Sequence, residues 1–349
     1  MSTTATDRQR GASQAGRALG PAVVFLFAFL AALPLWLGPG FLNTRGGGDS
    51  PFLLFRLHQL MEALGQGVFP VRWMPDAALG LGYPFFNYYA ALPYFVAAAF
   101  KALGLPYVGS LVLAQTLGFG LAAWGMYAWM IQAGYLRPAA WLGSAAYTFA
   151  PFHLVNVYVR GDSLSEFWAF AWYPLILLAA LRLARRPSLR RMLPLALAYA
   201  ALVLTHNISA LIFTPFVVLY LGTLLVSENG RLVIGDSSSR RNLQSPVSTP
   251  QSPVSTPQSP ITNYQSPISF IALAIAGFVF ALALAAFFWL PALLEGGYGQ
   301  LGPSHRVIST TASTFATSTW SRPRPYSTTR SAARPGPRPP SGWVWRKPC

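Results

Sequence analysis

Two carboxylates and a guanidinium stand close together in the segment YVRGDSLSE, which ends at Glu166. A carboxylate can act as a general base, and the guanidinium of Arg160 can pair with two oxygens of one phosphate. Asp162 and Glu166 are therefore candidate catalytic residues. The segment is also typical of a helix start, with Asp162 or Ser163 as the cap and Glu166 near a capping-box position. The two interpretations are compatible.

A third candidate carboxylate, Asp49, follows three glycines and precedes Ser50 and Pro51. Asp49 or Ser50 can cap a helix that has Pro51 at its first position. The alternative is that Asp49 is itself catalytic. Apolar residues after Pro51 predict an amphipathic helix on a membrane surface. They are Phe52, Phe55, Leu60 and Leu64.

His206 lies between Thr205 and Asn207, where three polar residues separate two apolar runs. Such a group favours a hydrogen-bonded turn, although His206 can also contact a phosphate or transfer a proton. Aromatic residues around Tyr88 favour an anchoring belt at the membrane interface, and a wall that stacks on a sugar is the alternative. The candidate substrate-binding residues are Arg56, Arg72, Asp76, Tyr88, Arg160 and His206.

The composition predicts the class of protein that positions these residues. Of 349 residues, 53% are hydrophobic and 10% are charged, whereas a soluble domain has about 25% charged residues. The net charge of +16 does not indicate a nucleic-acid partner, because long apolar runs separate the basic residues. The only cysteine is Cys349, which excludes a disulfide scaffold. We expect an all-α integral membrane protein with the lipid bilayer as a partner.

Hydropathy predicts a bundle of about seven transmembrane helices, with residues 1–18 in the cytoplasm and a long first extracytoplasmic loop at 39–106 that contains surface helices. Residues 87–104 can cross the membrane or lie partly embedded at its outer face. Arginine placement favours the second alternative, since it leaves the arginine-rich loop at 182–191 in the cytoplasm. The expected location is the plasma membrane. The predicted spans are 19–38, 107–131, 139–157, 166–184, 193–205, 207–226 and 268–291.

This topology places six of the nine acidic residues on the outer side. Ionisable groups near membrane spans are costly and are functional candidates by default. The outer face is therefore where we expect chemistry. The six acids are Asp49, Glu62, Asp76, Asp162, Glu166 and Glu295.

Two segments have compositions that predict disorder. Residues 227–267 form a cytoplasmic loop with tandem QSPVSTP repeats, in which proline prevents helix formation. After a short extracytoplasmic segment at 292–302, the tail at 303–349 is rich in Ser, Thr, Arg and Pro. With codons chosen at degenerate positions, the tail can be back-translated so that the next reading frame encodes an ordinary extracytoplasmic segment. We therefore expect the chain to be a truncated N-terminal part of a larger protein.

The stretch PVRWMPDAALGLGYPFFNYYAALPYF at 70–95, placed after a transmembrane helix, a loop carboxylate and a surface helix, carries a specific resemblance. The chain resembles bacterial membrane proteins of the 6-pyruvoyl-tetrahydropterin-synthase-related group. More distantly, its plan resembles the GT-C superfamily of glycosyltransferases. The resemblance covers about 19–300 and is strongest at 46–95.

The GT-C resemblance implies an enzyme that transfers a sugar from a polyprenyl-phosphate donor to a lipid or glycan acceptor on the extracytoplasmic side. It implies that Asp49 acts as base or positions the acceptor. Asp162 or Glu166 would assist, with or without a divalent metal ion. Arg56, Arg72 or Arg160 would then neutralise the leaving phosphate.

Other classes have less support. A pterin synthase would need clustered zinc-binding histidines, whereas the four histidines are scattered. Gly80 and Gly82 lack the spacing of a nucleotide-binding loop. The remaining alternatives are a non-enzymatic membrane protein for lipid-linked glycan transport or envelope assembly, and a truncated chain without activity. A transporter should place polar residues at mid-membrane, but here they lie at the span ends.

Overall fold

The computed structural model describes residues 4–38, 50–160, 163–242 and 267–296. In these ranges the regular structure is helical, and one antiparallel bridge joins Met74 to Tyr83. The helices are α1 (Thr4–Leu37), α2 (Ser50–Gly65), α3 (Ala77–Gly80), α4 (Phe85–Tyr88), α5 (Leu92–Ala102), α6 (Tyr107–Ala133), α7 (Arg137–Thr148), α8 (Pro151–Tyr158), α9 (Leu164–Arg185), α10 (Leu189–Thr205), α11 (Asn207–Asn242), α12 (Pro267–Leu284) and α13 (Ala286–Leu294).

Four helical segments in the described part of the chain are long and apolar enough to cross a membrane. A fifth candidate is the pair α12 and α13, which bends by 67° at its break. The protein is therefore a membrane protein with four or five candidate spans. The four segments are Gly20–Leu37, Tyr107–Ala133, Leu164–Arg185 and Asn207–Ser227.

The continuous span expected at 139–157 is instead two short helices, α7 and α8. The break lies at Phe149 and Ala150, directly before Pro151. A residue that precedes proline is disfavoured in the helical conformation, and Ala150 accordingly has a ψ of 132°. Average hydropathy concealed this break because Pro151 lies within an apolar run.

The region 87–104 contains the end of α4 and the 11-residue helix α5. At 1.5 Å per residue, α5 is about 16 Å long, roughly half the hydrocarbon thickness of a bilayer. It is too short to cross a membrane alone. Tyr94 and Ala97 of α5 are buried in the protein core.

The helix predicted after Asp49 is present as α2, and its location at a membrane surface stays a prediction. Its buried face differs from the expected one, since Leu53, Leu57 and Leu60 are fully buried whereas Phe52 is 55% exposed. The three leucines lie at spacings of four and three residues, which is the stripe of a helix packed on a core. This face packs in one cluster with residues of α5 and α6.

Small residues allow α6 and α9 to pack closely. A Cβ added at Gly118 would lie 2.6 Å from the Phe167 ring, and one at Gly125 would lie 3.1 Å from Pro174 and from Leu175. Membrane helices commonly use glycine in this way, since it lets two backbones approach. The contact fixes the start of α9, where Glu166 lies.

Helix α11 continues to Asn242, into the segment 227–267 for which disorder was expected. A helix, once formed, extends cheaply until a proline stops it, and Pro246 is the next proline. The proline-rich repeats and the tail at 303–349 lie outside the described residues, so the expectations for them stay predictions.

Candidate functional site

Two of the three predicted catalytic carboxylates, Asp49 and Asp162, lie outside the described residues. In sequence, Asp49 immediately precedes α2, and Asp162 immediately precedes Ser163 at the start of α9. The third, Glu166, lies in the first turn of α9. The structure therefore describes the site from Glu166 outward.

Glu166 forms an ion pair with Arg160, the residue after the end of α8. A second acceptor, the Oδ1 atom of Asn156, lies 2.9 Å from the same guanidinium nitrogen of Arg160. The Arg160 side chain is 49% exposed and that of Glu166 is 22% exposed. A solvent-accessible guanidinium thus lies against a largely buried carboxylate.

Ser163 occupies the N-cap position of α9, but its side chain does not cap the helix. Its hydroxyl instead donates a hydrogen bond to Glu166 Oε2 at 3.3 Å. Arg160 and Ser163 therefore contact the Glu166 carboxylate directly, and Asn156 contacts Arg160. Ser163 is therefore not the side-chain cap that the sequence allowed for this segment.

His206 lies at the junction of α10 and α11, with its side chain folded onto Ser209. The His206 Nδ1 atom accepts the backbone N–H of Ser209 at 3.3 Å and lies 2.6 Å from the Ser209 hydroxyl. Because Nδ1 is an acceptor, the neutral ring carries its proton on Nε2. This is the hydrogen-bonded turn favoured from the sequence, and it leaves the Nε2–H group for another partner.

The charges of Glu166 and Arg160 act on His206, so the three side chains share one neighbourhood. Burial lowers the pKa of His206 below its ordinary value; the Glu166 carboxylate raises it in part, and the Arg160 guanidinium lowers it further. The lowered pKa favours the neutral form of the His206 ring. Sequence separations of 40 and 46 residues are closed by the packing of α9 against α10 and α11.

Tyr89 brings the segment between α4 and α5 to this position. Its ring lies 6.0 Å from the His206 ring in an edge arrangement and stacks on Phe85 at 4.8 Å. The next residue, Ala90, accepts a hydrogen bond from the buried Ser165. We refer to Arg160, Glu166, His206, Ser209 and Tyr89 as the acid–histidine cluster.

A second cluster joins the segment between α2 and α5 to α13 and to Glu295. Asn87 donates to Glu295 Oε2 at 2.8 Å, and the Tyr88 hydroxyl donates to the Glu295 carbonyl at 3.0 Å. Arg72 lies 3.9 Å from Glu295 Oε1 and donates to Asn87 Oδ1 at 3.2 Å. Arg72 also donates to the Phe287 carbonyl on α13. We refer to Arg72, Asn87, Tyr88 and Glu295 as the outer clamp.

The other predicted binding residues have structural partners elsewhere. Arg56 donates to the Tyr94 hydroxyl at 3.1 Å and its guanidinium lies over the Phe85 ring. Asp76 and the buried Gln59 exchange two hydrogen bonds, with Gln59 Nε2 donating to the carboxylate and the Asp76 N–H donating to Gln59 Oε1. These contacts hold α2 against α4, α5 and Asp76.

The structure thus brings together Arg160, Glu166 and His206, and separately Arg72 and Tyr88. The sequence does not distinguish Tyr89 from the other aromatic residues around Tyr88, and it gives no signal for Ser209. Asn87 and Glu295 were also missed as a pair. No hydropathy or motif signal could connect them, because 208 residues separate the two side chains.

A divalent metal ion at this site would need several oxygen or nitrogen ligands. Glu166 is the one carboxylate that the described residues provide in the acid–histidine cluster, and it is already paired with Arg160. Elsewhere in the described ranges, no three His, Cys, Asp or Glu side chains come together. The described residues of the site thus provide one carboxylate, which is already paired with a guanidinium, and we derive no step through a metal.

The comparisons with known proteins agree with the family predicted from the sequence. Residues 86–234 match the model of the 6-pyruvoyl-tetrahydropterin synthase related domain, described as a membrane protein. An uncharacterized protein of Lactococcus lactis subsp. cremoris (strain MG1363) is 24% identical over 214 residues, covering 59% of this chain and 33% of that protein. The chain thus spans about a third of the length of this curated relative. The matched region contains the whole acid–histidine cluster.

Proposed function

We propose that the protein is a membrane glycosyltransferase of GT-C type. It would transfer a sugar from a polyprenyl-phosphate donor to a lipid or glycan acceptor, with the acid–histidine cluster as its active site. The observation that carries the proposal is the meeting of Glu166, Arg160 and His206 at one end of α9. These groups supply a base, an anion-binding cation and a neutral hydrogen-bond donor.

Arg160 is suited to hold the donor phosphate. Its guanidinium is half exposed and can form two parallel hydrogen bonds to phosphate oxygens. A bound phosphate competes with Glu166 for this guanidinium, so donor binding loosens the ion pair. The carboxylate is then released toward the acceptor.

Glu166 would act as the general base. The acceptor hydroxyl oxygen attacks the anomeric carbon of the donor sugar, and the bond from that carbon to the phosphate oxygen breaks. The leaving phosphate takes the electron pair of the broken bond, and Glu166 takes the proton of the hydroxyl. Neutral His206 donates its Nε2–H to an oxygen of the developing phosphate.

Residues beyond the cluster complete the proposal. Asp49 and Asp162 would add carboxylates that orient the acceptor, and Tyr88 and Tyr89 would provide aromatic surface for a sugar. The site would face the extracytoplasmic side of the plasma membrane, with the N-terminus in the cytoplasm and about seven crossings. This orientation follows the arginine distribution and suits a lipid-linked donor, since nucleotide sugars are cytoplasmic.

The direct test is sugar transfer by the full chain from polyprenyl-phosphate sugars in membranes. Glu166→Gln should lower the transfer rate by about 100-fold or more, because a positioned base contributes on that order. Glu62→Gln is the matched control, since Glu62 is an exposed outer acid whose ion-pair partner is His58. Equal rates for wild type and Glu166→Gln would remove Glu166 from the mechanism and the proposal with it.

A further inference from the structure

A cavity of about 420 Å³ lies between α6, α9 and α10, at a position distinct from the acid–histidine cluster. Its walls are almost entirely apolar and include the rings of Trp124 and Trp172. Along α9 the lining runs from Trp172 to Arg182, which is ten residues or about 15 Å. We refer to this cavity as the lateral groove.

The lateral groove is open on the side of α10. Pro194 is exposed and Leu197 is 56% exposed at its rim, whereas Leu178 and Ala198 on its floor are buried. The shape is therefore a long apolar slot that opens between two helices toward their surroundings. A single extended hydrocarbon chain fits this shape and polarity.

Charge is confined to one end of the groove. Arg182, its one charged lining residue, is exposed there. Arg191 also lies at this end, because its guanidinium donates to the Arg182 carbonyl at 2.9 Å. Basic pockets between membrane helices bind anionic lipid headgroups. At the opposite end of the lining on α9, Trp172 donates a hydrogen bond to Thr205.

We propose that the lateral groove binds an anionic membrane phospholipid, with one acyl chain in the slot and its phosphate on Arg182 and Arg191. The polyprenyl-phosphate donor is a poorer occupant because of where its phosphate would lie. Its phosphate would lie at Arg160, about 24 Å from Arg182 along α9, counted from Glu166. A donor tail in the groove would leave Arg182 without an anion. This inference stands on residues that the proposed transferase reaction does not use.

Native mass spectrometry of the full chain in detergent tests this site, with phosphatidylglycerol, phosphatidylcholine and polyprenyl phosphate as separate probes. Wild type should retain one phosphatidylglycerol in preference to phosphatidylcholine. Arg182→Gln should weaken retention by about tenfold, the worth of one charge-assisted hydrogen bond. The control Arg186→Gln, an exposed arginine outside the lining, should retain the lipid as wild type does.

A second variant fills the slot. Ala201→Trp should abolish retention, whereas Leu211→Trp, at a residue of α11 that is 75% exposed, should not. Size-exclusion chromatography checks that each variant is folded. If Ala201→Trp is not folded, the Arg182→Gln result decides the test. Equal retention of phosphatidylcholine, unchanged retention in Arg182→Gln, or stronger retention of polyprenyl phosphate by the same groove would each overturn the proposal.

Discussion

The acid–histidine cluster and the outer clamp both contain an arginine beside a glutamate, yet their surroundings differ. In the cluster, Arg160 and Glu166 are six residues apart and act electrostatically on a neutral histidine. In the clamp, Arg72 and Glu295 are 3.9 Å apart and are joined through the buried Asn87. The first arrangement can exchange partners with a ligand, whereas the second connects two distant parts of the chain.

This comparison shows why an ion pair alone does not identify an active site. In the clamp, an amide, two carbonyls and a tyrosine hydroxyl join Arg72 and Glu295 to other protein groups. In the cluster, the Arg160 side chain is 49% exposed, and the neutral His206 ring carries an Nε2–H group. We therefore expect substitutions in the cluster to affect turnover, and substitutions of Arg72, Asn87 and Glu295 in the clamp to affect stability.

The largest expected difference between the two regions is in how far kcat/KM falls when the arginine of each is replaced. Arg160→Ala should lower kcat/KM for the polyprenyl-phosphate sugar by about 100-fold, because a hydrogen bond from a charged group to a phosphate is lost. Arg72→Ala should leave kcat/KM within about threefold, since Arg72 contacts only protein groups in our account. Steady-state transfer assays on both variants check this, and equal losses would contradict the distinction.

The clamp should show the larger effect on stability. Asn87→Ala should lower the free energy of unfolding by about 1–3 kcal/mol, because Glu295 and Arg72 both lose a hydrogen-bond partner at a buried position. Thermal unfolding in detergent measures this. Asn207→Ala is the matched control, since Asn207 is exposed and its side chain bonds only to the neighbouring Ile208 N–H. Equal melting temperatures for the two variants would mean that the clamp does not stabilise the fold.

A smaller effect concerns the pH dependence of His206. Its folded pKa is lowered by burial, so the fold favours the neutral ring. The stability that this provides is present above the unfolded pKa and is lost as the pH falls through the folded pKa. Glu166→Gln should lower this pKa further, because the carboxylate is the charge that raises it. Arg160→Gln should raise it.

Nuclear magnetic resonance of histidine-labelled protein measures the pKa of His206, with His206→Asn assigning the signal. Glu62→Gln, at an exposed acid outside the cluster, is the control and should leave the pKa of His206 unchanged. Shifts of the same sign in Glu166→Gln and Arg160→Gln would show that the three groups do not share one neighbourhood.

The members of the cluster could be nominated from the sequence because polar residues are rare at the ends of apolar runs. Arg160, Glu166 and His206 each met that criterion. Their meeting could not be predicted, since it depends on which helices pack together and on glycines such as Gly118 that set the spacing. Ser209 was missed because a serine within an apolar helix has no distinctive pattern.

The helical class, the membrane location and the helix after Asp49 were also predictable, because hydropathy and proline placement are local signals. The span count was harder to predict. One apolar run, whose mean hydropathy resembles that of a span, is broken just before Pro151. A second apolar run is broken at Ala285, between α12 and α13. Asn87 is buried through a contact with Glu295 that no local pattern indicates.

The central claim is that donor phosphate and Glu166 compete for Arg160. Binding of polyprenyl phosphate to Glu166→Gln, measured without turnover by the full chain in detergent, tests it most directly. Our account predicts that this variant binds the lipid at least as tightly as wild type while transfer is lost, because the guanidinium is no longer paired with a carboxylate. Weaker binding by Glu166→Gln than by wild type would contradict the account.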